Sequence, residues 1–185
     1  MFIQVQINEE GALRNQRHAF TDRFTLVSEL LQNARRAGAR HIELNYDVAS
    51  QVLLVRDNGC GITDFQKLLS FHESGWDGVI RDEEHPFGIG FSKCLYAANR
   101  CIVTSGNMRV DIDTAQALNK ASFEVVKSGG HEAILGTQVE LHGVDLPDLP
   151  TRIENLCLGF PIDVLFNGKP LQRSLAQANL RTMDS

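Results

Sequence analysis

Val55-Arg56-Asp57-Asn58-Gly59-Cys60-Gly61-Ile62 is the stretch around which this chain of 185 residues is organised. The apolar run Val52-Leu53-Leu54-Val55 feeds into it. Such a run reads as a β-strand buried on both faces. The strand stops at an acid, an amide and two glycines separated by one residue. A carboxylate at the mouth of a buried strand is half desolvated and held in one direction. The glycines leave the backbone bare, so that something flat can lie against it. Taken alone, the stretch is also an ordinary Asp-Asn-Gly turn. The sequence on either side decides between the two.

Upstream, residues 41–48 alternate (Ile42, Leu44, Tyr46, Val48) and predict a strand. Ala49-Ser50 is a tight turn, so 41–48 and 51–56 form a hairpin. Before it lies a long helix, capped by Thr21 or Asp22, running to about Ala37 and ended by Gly38. Phe24, Val27, Leu31 and Ala34 fall on one face, widened by Leu26, Leu30 and Ala37. Thr25, Ser28, Gln32 and Arg35 form the wet side. Glu29 and Asn33, four apart, stack at the border. They read either as a solvated helix margin or as a carboxylate and an amide presented at the rim of a pocket. Residues 2–7 alternate like an edge strand, and 8–20 are polar, a short helix and a turn.

Downstream, Thr63 or Asp64 caps a helix carrying Phe65, Leu68, Leu69 and Phe71. From 72 to 86 the periodicity collapses into glycines and charge, which reads as a mobile loop, either a lid or a surface excursion. Phe87-Gly88-Ile89-Gly90-Phe91-Ser92-Lys93 then opens a helix. Bare N–H groups at a helix N-terminus favour an anion. Neither a Walker-type Gly-Lys-Ser/Thr nor a dinucleotide glycine fingerprint directly after a strand is present. Strands are predicted at 100–105, 108–113, 121–126, 133–142 and 162–166, and a helix at 152–158.

Composition narrows the class. The chain is 43% hydrophobic and 22% charged, with a net charge of −5. These values suit one globular domain and leave no overall electrostatic footprint for nucleic acid or an anionic membrane. No apolar run approaches the roughly 18 residues of a membrane span. The first residues lack the basic start and apolar core of a signal peptide. Cys60, Cys94, Cys101 and Cys157 show no Cys-x-x-Cys pair and read as reduced, mostly buried thiols of a cytoplasmic protein. The six histidines have no metal-ligand spacing, so no protein-only metal site is expected.

Four motifs in order resemble a known family. Ser28-Glu29-Leu30-Leu31-Gln32-Asn33-Ala34-Arg35-Arg36-Ala37-Gly38-Ala39 is similar to the N-box of the GHKL ATPases (gyrase, heat-shock chaperone, histidine kinase, MutL), and its Ala-Gly-Ala ending resembles the MutL form. Asp57-Asn58-Gly59-Cys60-Gly61-Ile62 resembles their first glycine box, and Phe87-Gly88-Ile89-Gly90-Phe91 the second. Gly136-Thr137-Gln138-Val139-Glu140-Leu141 resembles the last. The resemblance spans about residues 20 to 170.

It implies an α/β fold, a two-layer sandwich of mixed sheet with helices on one face (the Bergerat fold), binding ATP under a lid. Residues 1–173 would form that domain, and 174–185 a polar tail or the start of a linker. By the same resemblance, Asp57 accepts from the adenine amino group and Thr137 supports the base. Gly59, Gly61 and Ile62 shape the base and sugar wall. Asn33 holds a magnesium ion on the phosphates, and Gly88, Ile89, Gly90 and Phe91 donate backbone N–H groups to them. Glu29 activates the attacking water. The implied activity is a magnesium-dependent ATPase whose lid closure engages a client or downstream domain, with ATP-dependent homodimers as in relatives. The alternative is a nucleotide-dependent binding module, or a protein kinase of the histidine or anti-sigma type, without hydrolysis. The family pattern is broken twice: Arg36 stands where MutL and the chaperones carry Asp, and His85 where the second box begins with glycine. The lysine that gyrase and MutL relatives borrow from a second domain also has no counterpart here.

Overall fold

The computed structural model describes residues 1–6, 23–70, 91–129 and 132–176. In chain order these hold β1 (Phe2–Gln4), α1 (Phe24–Arg36), β2 (His41–Asp47), β3 (Val52–Asp57), a 3-10 turn (Phe65–Leu69), α2 (Ser92–Ala97), β4 (Arg100–Gly106) and β5 (Met108–Asp113). There follow α3 (Thr114–Leu118), β6 (Ser122–Glu124), β7 (Val126–Lys127), β8 (Ile134–His142), α4 (Leu149–Leu156), β9 (Asp163–Phe166) and β10 (Lys169–Pro170). The architecture is α+β, built on a mixed eight-stranded sheet in the order β10-β9-β2-β3-β8-β4-β5-β7. β2 and β9 run parallel; the other neighbours are antiparallel. β1 and β6 form a separate antiparallel pair.

The register sorts side chains by face. Leu53, Val55 and Asp57 oppose Tyr46, Leu44 and Ile42 on one side and Leu141, Val139 and Thr137 on the other. Those last three oppose Cys101, Val103 and Ser105. With a period of two, all lie on one face, and all are buried. Leu26, Val27, Leu30 and Leu31 of α1 and Leu149 and Ile153 of α4 join the same core. Fully burying one such leucine is worth about 1.5–3 kcal/mol, which is what holds the helices to the sheet. The opposite face carries Glu43, Asn45, Arg56, Gln138 and Glu140, exposed or half-buried. Val52 and Leu54 point that way and are only half-buried. The run Val52-Leu53-Leu54-Val55 is therefore covered on one face, not two.

Several boundaries differ from the sequence reading for local reasons. The N-cap position of α1 is Arg23, which makes no side-chain capping bond; Thr21 and Asp22 lie outside the described residues. The helix ends as expected. Gly38 has φ +74°, with Gly38 N–H on the Arg35 carbonyl and Ala39 N–H on that of Ala34, the Schellman arrangement. Residues 121–126 are not one strand: β6 pairs with β1 and β7 with β5. α4 begins at Leu149, with Pro150 in its first turn, where a missing N–H costs nothing. β10 follows the turn Asn167-Gly168, whose φ values of +47° and +81° suit a hairpin. The segment 65–69 is a 3-10 turn, capped as expected by Asp64 through Gln66 N–H. It is clasped to the amino end: Gln4 N–H donates to Gln66 Oε1 at 3.2 Å, Gln66 Nε2 to the Gln4 carbonyl at 2.8 Å, and Gln6 N–H to the Leu69 carbonyl at 2.9 Å. The predicted elements at 8–20, Phe71, the loop 72–86 with His85, Phe87 and the glycine pair at 88–90 lie outside the described residues.

Candidate functional site

At one end of the buried face the sheet changes from apolar to polar. Asp57, Thr137 and Ser105 are adjacent across β3, β8 and β4 and all three are buried. Polar groups in such a place must be hydrogen-bonded or kept for a ligand. Asp57 Oδ1 accepts Gly59 N–H at 2.8 Å. Burial pushes the Asp57 pKa up, while the N–H groups of Gly59 and Thr137 act the other way. The Thr137 hydroxyl donates to the Ser105 hydroxyl at 3.4 Å. Ser105 in turn donates to the Gly136 carbonyl at 3.0 Å and accepts Ile62 N–H at 2.7 Å.

The glycines of this region make room for the protein's own atoms. A Cβ at Gly59 would lie 2.7 Å from the Ala37 carbonyl oxygen and 2.8 Å from its Cβ. At Gly61 it would meet Ser105 Oγ at 2.7 Å. Gly136 is the tightest, with φ +80° and the Asp57 carbonyl oxygen 2.0 Å from the position a Cβ would take. The Asn58 amide oxygen accepts Arg40 N–H at 2.8 Å and His41 N–H at 3.0 Å, and Cys60 N–H donates to the Ala37 carbonyl at 2.8 Å. The loop after β3 is thus pinned to the end of α1 on one side and to β4 and β8 on the other.

Ala37 links this row to the residues singled out on α1, since its N–H donates to the Asn33 carbonyl. Asn33 is fully buried, and among the described residues its Nδ2 has no partner. Its Oδ1 accepts from Arg36 Nη1 at 3.5 Å. Arg35 and Arg36 sit in the last turn of α1, where the helix dipole favours positive charge. Glu29, one turn back, is half-buried, and its Oε1 is 3.3 Å from Lys93 Nζ on α2. Phe91 is buried in the core, and its carbonyl accepts Cys94 N–H at the start of α2.

Asp57, Gly59, Gly61, Ile62 and Thr137 are therefore brought together, with Glu29 and Asn33 reached through Ala37; Gly88, Ile89 and Gly90 lie outside the described residues. Ser105, Asn58, Gly136 and Lys93 were given no role in the sequence reading. The small-residue ending Thr104-Ser105-Gly106 on a strand otherwise apolar was the available signal for Ser105. Two surface hollows, of about 400 Å³ beside Asn45, Leu54 and His142 and about 420 Å³ beside Arg109 and Lys127, lie elsewhere; neither is lined by the buried polar row.

Among the described residues no group of three or more His, Cys, Asp or Glu side chains could hold a metal ion, and no helix is long and apolar enough to cross a membrane. All four cysteines are free, Cys60 exposed and the other three buried. No protein-family model and no curated protein matches the chain.

Proposed function

We propose that this chain is an ATP-binding protein with the Bergerat arrangement of the GHKL ATPases, and that it hydrolyses ATP slowly. One observation carries the reading: the buried carboxylate of Asp57, next to Thr137 at the polar end of the sheet, is coupled through a glycine loop to the helix bearing Glu29 and Asn33. A desolvated carboxylate beside a hydroxyl suits an amino-bearing base edge, because a buried acceptor gains most from a ligand donor. In this reading Gly59, Gly61 and Ile62 wall the base. The phosphates are assigned to Gly88, Ile89, Gly90 and Phe91 and the lid to residues 72–86, on the motif resemblance alone, since all but Phe91 lie outside the described residues.

Asn33 supplies the test for magnesium. A buried amide with one end unpartnered costs about 1–3 kcal/mol unless something meets it. A phosphate oxygen at Nδ2 and a cation at Oδ1 would satisfy both ends. Magnesium tolerates a single protein ligand when phosphates and water complete its shell, so the residue fits, with the Arg36 contact displaced. When bound, the ion would neutralise phosphate charge. Glu29 does the proton work: as the water oxygen bonds to the terminal phosphorus and the bridging P–O bond to ADP breaks, its carboxylate takes the water proton.

The second reading, nucleotide binding without hydrolysis, is favoured by the ion pair between Glu29 and Lys93, which occupies the base. In either case partner engagement follows lid closure, with a protein client, a downstream domain or a second copy of the chain as the partner, in the cytoplasm. The test is calorimetric titration with ATP and ADP, with and without magnesium, alongside phosphate release. Micromolar binding that Asp57→Ala abolishes supports the reading. No binding by the wild type sinks it, and binding without phosphate release selects the second reading.

A further inference from the structure

We infer that Lys93 is the residue by which this chain tells a nucleoside triphosphate from a diphosphate, and that the same contact frees Glu29 for its role. The inference rests on the nucleotide reading above. Lys93 is the second residue of α2, followed by Cys94 and Leu95, both buried in the core. Its backbone is fixed by that packing while its side chain is about a third exposed. Glu29 is fixed in the same way between Leu26 and Leu30 and is 28% exposed. Two anchored stems with solvent-accessible tips meet at 3.3 Å.

A lysine ammonium has three donors and one acceptor neighbour satisfies only one of them. The group that Glu29 faces in the proposed reaction is the terminal phosphate, one water away. Lys93 therefore lies within one further hydrogen bond of an oxyanion present in ATP and missing from ADP. A doubly charged phosphoryl group competes with a single carboxylate for the ammonium. Once it wins, the Glu29 carboxylate is released from the ammonium that occupies its Oε1 and is free to meet the water. The cation that meets the terminal phosphate is then Lys93, carried by α2.

The experiment measures ATP and ADP affinity for wild type, Lys93→Met and Lys93→Arg, each checked for folding by circular dichroism. Losing one charge-assisted hydrogen bond should weaken ATP about tenfold or more. Lys93→Met should show that loss for ATP while ADP binding stays within about twofold. Lys93→Arg, which keeps the charge, should recover most of it. Equal weakening of both nucleotides, or of neither, overturns the role of Lys93 while leaving the pocket intact. A wild type that binds neither nucleotide overturns the pocket itself, and the inference with it.

Discussion

The hydroxyl of Ser105 accepts the backbone N–H of Ile62 at 2.7 Å, joining the end of β4 to the loop that leaves β3. The same oxygen donates to the Gly136 carbonyl and receives the Thr137 hydroxyl. One small side chain thus sets the spacing of three segments at the polar end of the sheet.

Ser105→Ala should therefore cost more than its exchange of one oxygen for hydrogen suggests. It takes the partner from the half-buried Ile62 N–H and from the buried Gly136 carbonyl, about 2 kcal/mol. In a domain of this size that is a fall in Tm of roughly 4–8 °C, readable by scanning calorimetry. A variant as stable as wild type would show that the loop is held by other contacts.

Gly136 and Gly38 offer a controlled pair. Both have positive φ, but a Cβ at Gly38 meets nothing within 4 Å, whereas at Gly136 it meets the Asp57 backbone. Gly38→Ala should cost about 1–2 kcal/mol, the backbone penalty alone. Gly136→Ala adds a clash with immovable atoms and should cost roughly 4 kcal/mol or more. Urea denaturation of the two variants compares them directly, and equal losses would contradict the close approach.

Asp57 links stability and ligand affinity with opposite signs. Burial raises its pKa above the ordinary 3.8. The folded protein then holds that proton more tightly than the unfolded chain does. The contribution to stability is present below 3.8 and is lost as pH rises through the folded pKa. Nucleotide affinity should rise over the same window, since the ionised form is the better acceptor. Asp57→Asn should remove both pH dependences, keep or raise Tm at pH 7 and weaken adenine nucleotides at least tenfold. A loss of both stability and affinity at pH 7 would mean that the carboxylate is structural.

Glu29→Ala should leave ATP binding within a few-fold of wild type and reduce phosphate release to background, as expected when a water-activating base is lost. Single-turnover measurement separates the two effects. Unimpaired release would assign the proton transfer to another group.

Most of the sheet was legible because its strands alternate cleanly. Ile42, Leu44 and Tyr46 face the core and pair with Asp57, Val55 and Leu53, as the hairpin reading required. The C-terminus of α1 was equally readable from Gly38. What the chain order hides is which strands meet. Nothing local to residues 122–127 says that they serve two sheets, and the insertion of β8 between β3 and β4 is a long-range pairing. The same limit explains the site. Asp57 and Thr137, 80 positions apart, were named from their motifs. Ser105 has no motif, and its importance arises only where β4, β8 and the glycine loop converge. Lys93 is an unremarkable helix residue until α2 sets it against Glu29.

The clasp between Gln4 and Gln66 ties the amino-terminal strand to the segment that continues from the glycine loop. The 3-10 turn that carries Gln66 begins three residues after Ile62, so a ligand that tightens residues 58–62 pulls on β1. Because such linkage is reciprocal, the load works in reverse. Gln66→Ala, which removes the clasp, should weaken nucleotide binding, and nucleotide should in turn slow hydrogen exchange at Gln4 and Gln6.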